Sequence, residues 1–123
     1  GEDPVIRLTL PEPPSANRYY RMAGRHMHRS SEAQAYTDRV EDICDKAGVI
    51  PIRGPVGVRF TWYRGRRSGD LDNRLKIALD ALQGFCFESD AQVVEITATR
   101  HDDKGKGRAE VEVYAVEPLA RAA

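Results

Sequence analysis

From Val56 to Tyr63 the chain alternates: Val56, Val58, Phe60 and Trp62 are separated by Gly57, Arg59 and Thr61, with Tyr63 closing the run. A period of two places one set on a single face, so this segment reads as a half-buried strand. After a basic, glycine-containing loop the period changes. Leu71, Leu75, Ala78, Leu79 and Leu82 share one side of a 3.6-residue helix, and Ile77 and Ala81 widen it. This helix is expected to begin around Asp70 to Asp72 and to run to about Gln83, where Gly84 stops it. Its apolar arc covers roughly half the circumference, against the ~100° stripe that one core usually needs. Such a helix packs on its own sheet and on something more. A second copy of the chain is the simplest cover, because closed two-fold dimers dominate soluble oligomers.

The remaining elements follow from similar signals. Val5 to Leu10 reads as a first strand, stopped by Pro11, Pro13 and Pro14. A long basic loop extends to Ser30. Ser31 and Gln34 have the form of a capping box opening a helix that ends near Gly48, with Ala35, Val40, Ile43, Cys44 and Ala47 on its inner face. Pro51 to Pro55 is a connector. Val93 to Arg100 forms a third strand, and Ala109, Val111, Val113 and Ala115 mark a fourth. The polar segment His101 to Gly107 between them predicts an antiparallel hairpin. The order β-α-β-α-β-β implies an α+β fold: a four-stranded mixed sheet with two main helices. At 123 residues the chain is expected to be one domain over 1–123. Residues 1–4, which lack a methionine, read as a disordered or processing-derived extension, and 117–123 as a tail.

Formal net charge is zero, which excludes a whole-surface polycation, but the charges are segregated. Arg18, Arg21, Arg25 and Arg29 fall in a stretch without an acid, and Arg64, Arg66 and Arg67 form a second basic run. Both can grip a polyanion locally. Tyr19 and Tyr20, between the first arginines, could stack on an unpaired base. Cys44 and Cys86 make no metal-ligand spacing and read as buried small hydrophobes. No stretch has the length and purity of a membrane span or the pattern of a signal peptide, so the cytoplasm is the expected compartment. His26 and His28 are more readily surface residues than ligands. Trp62 is expected in the core, and Asn17 either fixes its loop by an Asx-type bond or approaches the site.

Asp70-Leu71-Asp72-Asn73 sets two carboxylates at a helix start, where they can converge on a magnesium or manganese ion. The helix N-terminus helps keep them ionised. Lys76, one turn on, could meet a phosphate oxygen. Asp90 is the candidate third acid. The helix travels about 18 Å from Asp72 to Gln83, and an extended Gly84–Asp90 segment of up to roughly 23 Å can bring the chain back. That return would make the second and third strands antiparallel. The motif alone has an equally simple reading, with Asp72 an N-cap and Asp72 to Lys76 an ordinary helical ion pair.

Taken together, these blocks resemble the RusA family of Holliday-junction resolvases of phages and prophages. The resemblance runs through Leu10-Pro11, Pro13 to Arg21, Ser31, Ala35-Tyr36, Gly69 to Asn73, Lys76, Asp80-Ala81-Leu82 and Asp90 to Val93. It implies a homodimeric, magnesium-dependent endonuclease, with manganese a substitute and no small-molecule cofactor. Such an enzyme cuts four-way DNA junctions by symmetric nicks in strands of like polarity during recombination and repair. The resemblance assigns Asp70, Asp72 and Asp90 to the metal and Lys76 to catalysis, the ion orienting a water for in-line attack and stabilising the leaving 3′ oxygen. Arg18, Arg21, Arg66, Arg67, Asn73 and Lys76 are the expected DNA contacts. The chain departs from the family at Ser89, where an acid is usual, and Glu88 could substitute for it. Ser68 and Gly69 also interrupt the basic run. Two rival readings remain: a branched-DNA-binding protein that cuts weakly or not at all, and a broader nuclease for forks and flaps.

Overall fold

Strand β4 (Val56–Arg64) is central because both of its edges are hydrogen-bonded while one face carries the core. Val56, Val58, Phe60 and Trp62 are buried as the alternation predicts. The computed structural model describes residues 4–15, 20–23, 26–29 and 31–117, with the backbone alone for 20–23 and 26–29. Around β4 lie β1 (Val5–Pro11), α1 (Ser31–Ala47), α2 (Leu71–Leu82), β5 (Val93–Asp102) and β6 (Arg108–Ala115). The sheet order is β1-β6-β4-β5, so the α+β class and four-stranded mixed sheet hold. Tyr36 of α1 donates its hydroxyl to the Pro11 carbonyl (2.9 Å), tying that helix to the end of β1.

Three expectations about the strands fail. The last two strands do not pair with each other, because β4 lies between them. β6 runs antiparallel to β4, with Phe60 opposite Val111, and antiparallel to β1. β5 runs parallel to β4, with Phe60 opposite Ala98, so the expected antiparallel relation of those strands is also wrong. The helix α2 provides the crossover that a parallel pair requires. Lastly, the basic stretch before Ser30 is not all loop. It contains an antiparallel pair, β2 (Tyr20–Ala23) with β3 (His26–Arg29). Gly24 between two short runs is a hairpin signal that the arginines obscure.

Helix boundaries agree within a residue, with Gly48 and Gly84 at φ of +68° and +93° past the two ends. The face of α1 is shifted: Ala33, Tyr36, Val40 and Cys44 are buried, whereas Ala35 and Ala47 are exposed. Gln34, one turn into α1, donates its side-chain amide to Asp38 (2.9 Å). In α2 the broad apolar arc divides in two. Ile77, Ala78, Ala81 and Leu82 are fully buried, whereas Leu71, Leu75 and Leu79, one turn apart, are only half-covered. Cys44 and Cys86 are both buried, with hydrogen bonding to Cys44 and burial holding the Cys86 thiol above its ordinary pKa. Pro4 belongs to the fold, its carbonyl accepting the Ala115 N–H (3.2 Å). Residues 1–3 and 118–123 lie outside the described residues. Among the described residues, no helix is long and apolar enough to cross a membrane.

Candidate active site

The approach to Asp70 is held by a cluster that sequence reasoning did not find. Trp62 donates Nε1–H to the Glu12 carboxylate (2.8 Å), and the Arg74 guanidinium lies over the indole at 4.9 Å. Arg74 also donates to the Pro13 carbonyl. Gly69 sits against both partners. It has φ of +104°, and a Cβ there would stand 2.8 Å from the Arg74 guanidinium and 3.0 Å from the indole. The backbone demands glycine because an L side chain rarely adopts that φ. The cluster was illegible because Glu12 and Trp62 are far apart in sequence and only β4 brings them together. Gly69→Ala is expected to cost about 1–3 kcal/mol in urea denaturation.

Asp70 occupies the N-cap position of α2 in extended conformation (φ −100°, ψ 141°), yet its carboxylate makes no capping hydrogen bond. Its carbonyl accepts the Arg74 N–H (3.3 Å), opening the helix. Asp72 lies in the first turn, where one carboxylate oxygen accepts the neighbouring Asn73 N–H (3.0 Å). Neither side chain therefore acts as an ordinary cap, which weakens the simpler reading of the motif. Asp70, Asp72 and Lys76 are exposed, and Asn73 is half-buried. Asp70 precedes the helix, Asp72 lies in its first turn and Lys76 follows one turn later.

Asp90 is elsewhere. It opens a short 3-10 turn (Asp90–Gln92) leading into β5, whose first residue, Val93, pairs with Val56 at the opposite end of β4 from Arg64. The segment expected to return along the helix instead winds up beneath its C-terminus. Gly84 N–H donates to the Phe87 carbonyl (2.7 Å), Ile52 N–H donates to the Cys86 carbonyl (2.8 Å), and Cys86 and Phe87 are fully buried. Phe87 bridges to both Gln83 and Ile52. Asp90 is thus about one length of α2 from Asp70, roughly 18 Å. One small cation cannot span that gap with ligands at about 2.1 Å. Consistently, among the described residues no three acidic, histidine or cysteine side chains gather closely enough to hold a metal.

Ser89 has a structural role. Its hydroxyl accepts the Ala91 N–H (3.2 Å), and Gln92 Oε1 accepts the Ser89 N–H (3.0 Å), completing a capping box. The Gln92 amide also donates to the Ile52 and Gly54 carbonyls (2.8 and 2.9 Å). Asp90 therefore sits on a pinned turn. The Ser-x-x-Gln spacing is the signal that could have revealed it.

The basic groups lie at the Asp70 end. Arg64 donates to Asp102 through Nε (2.6 Å) and Nη2 (3.2 Å), a hydrogen-bonded pair that lowers the Asp102 pKa and raises that of Arg64. Arg67 approaches the same carboxylate at 3.8 Å. Arg66 and Arg67 are exposed beside the loop to Asp70. Asn17, Arg18, Tyr19 and Arg25 lie outside the described residues, as do the side chains of Tyr20, Arg21, His26, His28 and Arg29.

Comparison with known proteins bears on this arrangement. A family model described as endodeoxyribonuclease RusA matches residues 11–114. The crossover junction endodeoxyribonuclease RusA of Escherichia coli strain K12 is 42% identical over 110 residues, covering 86% of this chain and 91% of that protein. The enzyme of the same name from Enterobacteria phage 82 is 40% identical over 113 residues, covering 89% and 93%.

Proposed function

Because the chain belongs to the RusA family of endodeoxyribonucleases, we propose that it resolves four-way DNA junctions in recombination and repair at two sites built across a homodimer. The chain is a crossover junction endodeoxyribonuclease. The observation that carries the dimeric reading is the separation of Asp70 and Asp72 from Asp90 by the length of α2. In a two-fold pair of antiparallel α2 helices, each Asp90 would lie beside the partner's Asp70 and Asp72. The half-covered line Leu71, Leu75 and Leu79 runs between the buried face and the Asp72–Lys76 line. The exposed Val94 (60%) and Ile96 (46%) of β5 add to that apolar surface. Isologous burial of such a patch is the simplest use for it.

The donor set is all oxygen, which fits magnesium or manganese. Asp70 and Asp72 would hold the ion from one side, and the partner subunit's Asp90 from the other. When bound, the ion supplies Lewis-acid stabilisation of the scissile phosphate and a water of lowered pKa. The protein's own groups position the rest. The Asn73 N–H fixes the Asp72 carboxylate, and Lys76, one turn on, binds a non-bridging phosphate oxygen and balances charge as it develops. Arg66 and Arg67 contact the strand approaching the site.

The test is a mobile four-way junction and a fork of the same sequence, incubated with the protein in chelator, magnesium or manganese. Paired symmetric nicks in the junction, only with metal and much faster than any cut in the fork, are expected. Equal cleavage in chelator would overturn metal dependence. A fork cut as fast as the junction would establish a broader nuclease, and binding without cutting would establish a recognition module.

A further inference from the structure

The β5–β6 loop emerges at the same end of the sheet as Asp70, because Asp102 pairs with Arg64 and Arg108 with Tyr63. It is fixed against the β4–α2 loop. Asp103 N–H donates to the Arg64 carbonyl (2.9 Å), and Gly105 N–H donates to the Gly65 carbonyl (3.0 Å). The loops touch closely: a Cβ on Gly65 would meet the Gly107 nitrogen at 2.9 Å. The loop's acids are already engaged, Asp102 by Arg64 and Asp103 by Arg108 (2.9 Å). Arg108 closes the turn further by donating to the Lys106 carbonyl (2.9 Å). Lys104 and Lys106 are left exposed on this rigid turn, on the same rim as Arg66 and Arg67. The segment from Lys104 to Gly107 contains only lysine and glycine, so it offers cations and close backbone approach without a stacking surface.

Resting on the junction-enzyme reading, we infer that Lys104 and Lys106 form a second phosphate-contact element that grips a duplex arm of the junction beside the cleaved strand. Contacts of this kind position DNA without reading its sequence. Two neutralised phosphates contribute about 1.8 to the slope of log affinity against log salt. Over a fourfold salt range that corresponds to about a twelvefold change in affinity.

Binding is measured in chelator between 50 and 200 mM salt, on a labelled four-way junction and on a linear duplex of one arm. Wild type is compared with the Lys104→Ala/Lys106→Ala and Lys104→Arg/Lys106→Arg double variants, after thermal melting has confirmed that each is folded. The alanine pair is expected to lower the slope by about 1.8 on both DNAs, with the arginine pair close to wild type. Unchanged affinity and slope in the alanine pair would overturn the inference, as would an equal loss in the arginine pair, which would assign the effect to loop shape. Failure of wild type to bind the junction would instead refute the underlying enzyme reading.

Discussion

A one-to-one mixture of Asp72→Asn and Asp90→Asn subunits, co-expressed so that they assemble at random, is expected to recover cleavage that neither variant shows alone. Removing either ligand from a shared site should cost several kcal/mol of transition-state stabilisation, a loss of about a hundredfold or more. In a mixed dimer both lesions fall on one composite site. The other site draws Asp70 and Asp72 from the Asp90→Asn subunit and an intact Asp90 from the Asp72→Asn subunit. Half of the dimers are mixed and each has one sound site, so about a quarter of wild-type site activity should return. The products should be single nicks rather than paired ones. If each chain held its own complete site, every site would carry a lesion and the mixture would stay inactive. That outcome would end the shared-site reading, and gel quantification of nicked junction strands separates the two.

Trp62→Ala is expected to destabilise the protein by about 3–5 kcal/mol, the range for truncating a buried aromatic. For a chain of this size the corresponding fall in Tm is on the order of 15 °C. Trp62 is fully buried, donates to Glu12 and supports Arg74 from below. Its loss opens a cavity, removes a hydrogen bond and frees the guanidinium that seats Gly69. Trp62→Phe retains most of the ring and removes the Nε1 donor, so it should cost less, about 1–3 kcal/mol. Calorimetry on both variants checks the order. Equal stability of wild type and Trp62→Ala would refute this account of the cluster.

Local periodicity was a good guide where the relevant contacts are local. The inner face of β4 and the limits of α1 and α2 follow from side-chain spacing and from glycines past the helix ends. It failed wherever a distant partner decides the outcome. Thr97 on β5 and Glu112 on β6 pair with the same residue, Arg59, from opposite sides. No pattern within His101 to Gly107 says that a third strand will enter between its flanks. The Glu12–Trp62–Arg74 cluster was hidden for the same reason.

The aspartates divide along this line. That Asp70 and Asp72 share a helix start with Lys76 one turn on was determined by the sequence, since helical geometry places residues so close in the chain without outside help. Where Asp90 goes was decided by tertiary structure. Burial of Cys86 and Phe87 beneath α2, together with the parallel register of Val93 on Val56, holds Asp90 at the far end of the helix. The seven residues from Gly84 to Asp90 inclusive are long enough to return or to coil, and chain length cannot distinguish the two. Removing the Phe87 ring and the smaller Cys86 side chain from water favoured coiling, which left the third carboxylate a helix length from the other two.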